Sequence, residues 1–156
     1  MSNRNTKHTP SPLEAHLGFW LRFVSNHVSI RFQRQLEKKG ITVTEWVALR
    51  TLWSQDETTH AELIQALGVT KGAASKVVSR LEEKGLVIRQ LAEGRAREQC
   101  LVLTTAGKTL VPLLAALADA NDAHFFDHLP AAERQALTQA MQDLVQHHQL
   151  KEIPTA

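Results

Sequence analysis

Between residues 71 and 97 the chain gathers seven cationic side chains, Lys71, Lys76, Arg80, Lys84, Arg89, Arg95 and Arg97, against three acidic ones, Glu82, Glu83 and Glu93. Ser75 and Ser79 are interleaved with the first three cations. Ammonium and guanidinium groups neutralise phosphate, and hydroxyls bond phosphates or base edges, so this set suits holding a polyanion rather than breaking a bond. The net charge of all 156 residues is only +2, so the excess is local. Residues 119–156, by contrast, hold two basic and six acidic side chains. A basic block in a nearly neutral chain is the electrostatic footprint of nucleic-acid binding, although a solvated surface gives the same count.

Such side chains need a rigid element to present them. Thr70 can cap a helix that Gly85 stops. Within it Ala74, Val77 or Val78, and Leu81 make a buried stripe. That turns Lys71, Gly72, Ser75, Lys76 and Ser79 to the opposite face, with Arg80 at its margin. A helix about 10–12 Å across fits a major groove about 12 Å wide. Its capped start aims free amides at phosphate. The preceding helix opens on a capping box, Thr59 to Glu62, carries Leu63, Ile64 and Leu67, and ends at Gly68. Two short helices so closely joined predict a helix-turn-helix. After Gly85 the period changes to strands at 86–91 and 97–103 around a turn at 92–96, a two-stranded hairpin with Arg95 and Arg97 near its tip. Those arginines could enter a neighbouring minor groove.

The rest of the pattern is helical. Ser11 and Pro12 predict the start of a long first helix striped by Leu13, Leu17, Trp20, Val24 and Val28, with Leu21, Phe32 and Leu36 widening the stripe, and stopped at Lys39-Gly40. Thr42 to Glu45 is a capping box opening a helix with Trp46, Leu49, Leu52 and Trp53. Thr104 or Thr105 caps a helix running from about residue 106 to about His128, with a kink or late start at Pro112. A last helix carries Leu137, Met141, Leu144 and Val145. The predicted division is a flexible arm at 1–11, a first dimerisation helix at 12–41, a winged helix-turn-helix at 42–104, C-terminal dimerisation helices at 105–150 and a tail at 151–156.

The run Val69–Val87 resembles the recognition-helix signature of the MarR family of bacterial transcriptional regulators. Thr42–Leu49, Glu62–Val69 and Leu103–Gly107 resemble further segments of that family in the same order. The resemblance implies a mainly α winged-helix homodimer that binds a pseudo-palindromic operator on double-stranded DNA, most naturally as a repressor. It implies that Ser75, Lys76 and Arg80 contact bases and phosphates, and that Arg97 is the wing arginine of the minor groove. The family usually has Asp two residues before that arginine, where this chain has Arg95. Either Glu93 or Glu98 orients Arg97 instead, or the wing binds backbone through both arginines. Ile64 stands where many helix-turn-helix motifs have Ala, which predicts a slightly wider packing of the two helices. The resemblance also implies an effector cleft between the first two helices, the fifth helix and the partner.

Two readings stand for His16, Trp20, His27, Trp46 and Arg50, with Trp53 beside them: an apolar pocket with one cation for a small aromatic acid, or plain core packing. The eight histidines lack the spacing of a four-ligand zinc set; His124 and His128 with Asp127, and the pair His147-His148, read as surface polarity, with a metal-responsive regulator as the alternative. Cys100, the one cysteine, reads as a packed strand residue, since no second thiol is present to resolve it. There is no phosphate loop and no nucleophile elbow, so an enzyme or a cofactor is not expected. The first eleven residues lack a signal peptide's apolar run, and Leu110–Ala118 is about half of the ~20 residues a membrane helix needs, so a cytoplasmic protein is the expectation. A winged helix used for protein contact is the remaining alternative.

Overall fold

A computed structural model describes residues 9–91 and 98–151. A single 3-10 turn at Leu13–Ala15 precedes helices α1 (Leu17–Glu37) and α2 (Val43–Trp53), strand β1 (Thr58–Thr59), helices α3 (His60–Leu67) and α4 (Lys71–Glu83), strands β2 (Val87–Leu91) and β3 (Gln99–Leu103), and helices α5 (Thr105–Phe126) and α6 (Ala131–His147). The fold is mainly α, a winged helix-turn-helix with helical extensions at both ends.

Local chemistry sets most boundaries. Both capping boxes form: Glu45 N donates to Thr42 Oγ1 over 3.1 Å and Thr42 N to Glu45 Oε2 over 3.0 Å, and Thr59 and Glu62 exchange the same pair of bonds. Thr70 Oγ1 accepts from Ala73 N and Thr104 Oγ1 from Gly107 N. Gly85 ends α4 at a φ of +71°, a conformation that costs residues with a Cβ. The amides of Gly85 and Leu86 then close back onto Glu82 O and Leu81 O.

Four expectations are corrected. The first helix does not begin at Ser11 and Pro12. His16 is extended and separates the 3-10 turn from α1, its Nδ1 3.1 Å from Pro12 O, while Trp20 Nε1 donates to Glu14 O and ties the turn back onto α1. The sheet has three strands in the order β1-β3-β2, not two, because Thr58 and Thr59 pair antiparallel with Leu101 and Cys100. The second hairpin strand begins at Gln99 rather than Arg97, and the predicted turn lies outside the described residues. Helix α5 starts at Thr105, runs through Pro112 and stops at Phe126, so Pro112 causes no late start.

The core lies where α2, α3, α4, the sheet and the first half of α5 meet. Leu49, Leu63, Leu67, Leu81 and Leu114 are fully buried there, with Val78 and Val87. Buried Asn121 on α5 pins α1: its Oδ1 accepts from Arg31 Nη1 at 2.9 Å and its Nδ2 donates to Val28 O at 3.1 Å. By contrast every residue of α6 is exposed. No helix is long and apolar enough to cross a membrane among the described residues.

Candidate nucleic-acid interface

Helix α4 is anchored by one face only. Ala74, Val77, Val78 and Leu81 are buried, and both valines, not one, belong to the stripe. Lys71, Gly72, Lys76, Ser79 and Arg80 are exposed, Thr70 caps the exposed start, and Ser75 is half-buried. The exposed helix face therefore carries small side chains flanked by cations, as the spacing predicts, except that Ser75 is half-buried beside α3. Helix α3 packs behind it through Leu63 and Leu67, with Ile64 half-buried against the same core. Arg95 and Arg97 lie outside the described residues.

Three residues that periodicity did not single out shape this face. His60, the first residue of α3, places Nε2 3.3 Å from Ser75 Oγ. Burial, then the positive charges of Arg89 and Lys71, hold its imidazole below the ordinary histidine value. Arg89 on β2 donates to Glu82 Oε1 at 2.8 Å, tying the base of the hairpin to the last turn of α4. Lys84, just past that turn, bonds Glu45 and the carbonyl of Gly40. No local motif announces these pairings, because each joins residues in different elements.

The residues proposed for an aromatic-acid pocket do not converge. His16 serves as the interruption before α1. Trp20 joins a ring ladder of Phe19, Trp20, Phe23 and His27 along α1. Trp46 packs edge-on against Phe32, ring centres 6.3 Å apart, in the core. Arg50 donates to Ser54 Oγ at 2.8 Å. Two cavities touch members of the group. His27 lines one of about 480 Å³ between α1 and α5, with Arg31, Arg34, Lys38, His124 and Phe125. Trp53 lines another of about 720 Å³ between α2, the sheet and the start of α5.

The remaining candidates are placed as follows. Cys100 is buried on β3 as a free thiol. His124 stacks edge-on against Phe125, and His147 against His148. Among the described residues no three His, Cys, Asp or Glu side chains are grouped to hold a metal ion.

Comparisons with known proteins agree with this architecture. Residues 41–98 match the MarR family. The HTH-type transcriptional repressor Rv2887 of Mycobacterium tuberculosis is 28% identical over 131 residues, 84% of this chain and 94% of that one. The structure of CouR from Rhodococcus jostii RHA1 bound to p-coumaroyl-CoA is similar with a TM-score of 0.77 at 23% identity, covering 93% of this chain and 99% of that one. The Staphylococcus aureus MepR–DNA complex is similar with a TM-score of 0.74 at 22% identity, covering 86% and 97%. The matched module, the relatives and the shared fold make this chain similar, over residues 41–98, to the MarR family of transcriptional regulators, and give it their winged helix-turn-helix fold.

Proposed function

We propose that this regulator is a repressor that works as a homodimer on a pseudo-palindromic operator, with α4 of each protomer in a major groove. The observation that carries the reading is the outward face of α4: small residues bracketed by Lys71, Lys76 and Arg80, with the apolar face spent on the core. Ser75 and Ser79 read base edges, Thr70 and Gly72 let the capped helix start approach phosphate, and the three cations release counterions. Arg95 and Arg97 add mainly backbone affinity from the hairpin, since Arg95 stands where an acid would orient its neighbour. Similarity to MepR, solved with DNA, supports the geometry. Selection of bound duplexes from a random pool, followed by gel shifts, tests it; a protein that enriches no sequence overturns it.

The two-fold frame is argued from unpartnered apolar surface. Leu13, Leu17, Trp20 and Leu21 at one end of the chain and Leu137, Met141, Leu144 and Val145 on α6 are all 44% exposed or more. Residues 12–41 and 105–150 thus supply the dimer contacts around the reading module at 42–104, and two modules related by the dyad bind half-sites about one helical turn apart.

A small aromatic acid releases the DNA in this reading. CouR, solved with p-coumaroyl-CoA, is the supporting likeness. In this chain the best-suited cavity is the one between α1 and α5, where Arg31, Arg34 and Lys38 offer cations beside Phe125 and His27. The acid acts only through a difference in affinity between the bound and released forms. Such a repressor operates in the cytoplasm, uses no cofactor and catalyses no reaction.

A further inference from the structure

The Ser75 hydroxyl does not face solvent alone, because His60 Nε2 sits 3.3 Å from it across the helix-turn-helix. An imidazole whose Nε2 is bare accepts the Ser75 proton and leaves lone pairs facing outward. An imidazolium donates from Nε2, so the serine oxygen accepts and its proton turns outward. The two states therefore present opposite hydrogen-bonding character at one position of the reading face. We propose that His60 is a positioning residue of the DNA-reading surface, setting through Nε2 whether Ser75 offers its proton or its lone pairs, and that duplex binding is coupled to proton uptake at this pair. This rests on the reading of α4 as the DNA-contacting helix.

The surroundings give the coupling its direction. Charged groups reach His60 from Arg89 on β2 and Lys71 on α4. On its own helix Glu62 closes the capping box with Thr59. On α2, Arg50 bonds Ser54, and Glu45 bonds Lys84. Neighbouring β1 holds only Thr58 and Thr59, and β3 sets Cys100 opposite Thr59. Arg89 and Lys71 oppose the imidazolium in the free protein. Phosphates placed along α4 offset those cations and stabilise the imidazolium, whose partner hydroxyl then donates to a phosphate or a base acceptor. Binding thus tightens as pH falls.

The test uses the full-length protein and a duplex recovered by selection, titrated by fluorescence anisotropy from pH 7.5 to 5.5 at constant salt. Wild type is expected to gain affinity by several-fold per pH unit, with a limit of about tenfold for each proton taken up and so about a hundredfold for a dimer that takes up one per module. His60→Gln and Ser75→Ala are each expected to flatten that slope, and their effects on affinity to be non-additive. As a second measurement, the His60 imidazole is titrated by NMR, where adding duplex should raise its midpoint in wild type and less so in Ser75→Ala. A wild-type slope that survives in His60→Gln, or an imidazole midpoint indifferent to duplex, overturns the coupling while leaving DNA reading intact. A wild type that binds no duplex at any pH overturns both.

Discussion

Lys84 Nζ lies 2.7 Å from Glu45 Oε2, and the same ammonium bonds Gly40 O at 2.6 Å. One side chain at the end of α4 thereby holds the start of α2 and the turn after α1. Glu45 is 1% exposed, and Lys84 is the cation that meets it. Removing one member of a buried pair costs about 3–5 kcal/mol, and Lys84, with its side chain 37% exposed, belongs near the bottom of that range. Lys84→Met is expected to unfold at markedly lower denaturant. Glu45→Gln keeps an oxygen for Thr42 N and is expected to cost less. Equilibrium urea unfolding of both variants checks the order.

That pair also marks what the sequence made legible. The capping boxes at Thr42–Glu45 and Thr59–Glu62 are four residues long, and the buried stripe of α4 follows one helical period, so both were readable from local spacing. The two-residue β1 is too short to show alternation, and it abuts the cap of α3. Likewise Glu45–Lys84 and His60–Ser75 join residues 39 and 15 positions apart, a juxtaposition that only packing creates. The aromatic grouping was no more legible: Trp20 and Trp46 belong to two separate predicted helices, and the fold sends one along α1 and the other into the core.

Gly107 is expected to tolerate no side chain. A Cβ there would collide with the backbone oxygen of Leu86, the same oxygen that accepts from Thr104 N at 3.0 Å. The obstacle is backbone held by that bond, so relief requires moving the start of α5 away from β2. Gly107→Ala is expected to lose about 1–3 kcal/mol by overpacking. Thermal unfolding, with Gly72→Ala as the control where a Cβ meets open space, reads the difference.

On the reading face the two kinds of contact should separate. In the proposed dimer Arg80→Ala removes one candidate phosphate-neutralising charge from each protomer, so it is expected to weaken selected and random duplexes alike and to lower the salt slope by about two units. Ser75→Ala is expected to narrow the ratio between them instead. Gel shifts at two salt concentrations measure both; wild-type affinity and specificity in the two variants together would mean that α4 presents a different face.

Charge placed on α6 should dissociate the proposed dimer. Leu144 and Met141 lie on the same stripe, 44% and 48% exposed, and α6 is exposed throughout. Burying a carboxylate against a second apolar surface is costly without a partner. Met141→Glu with Leu144→Glu is therefore expected to shift the particle to monomer in sedimentation, and to weaken binding to a two-half-site duplex far more than to a single half-site. An unchanged sedimentation coefficient would move the dimer contact elsewhere.

His60 should also leave a signature in the stability of the free protein. Burial and the charges of Arg89 and Lys71 lower its affinity for a proton in the folded state. The unfolded chain titrates at the ordinary value of about 6.5 and so binds more protons than the folded one below it. Stability is therefore present in full above pH 6.5 and is lost as pH falls from there toward the lowered folded-state midpoint. The readout is the difference between variant and wild type. His60→Gln removes the unequal proton binding, and the gap between its melting temperature and that of wild type is expected to move in the variant's favour as pH drops from 7.5 to 5.5. A gap that stays constant would show that His60 binds protons equally in both states, and would remove the electrostatic strain that DNA phosphates are invoked to relieve.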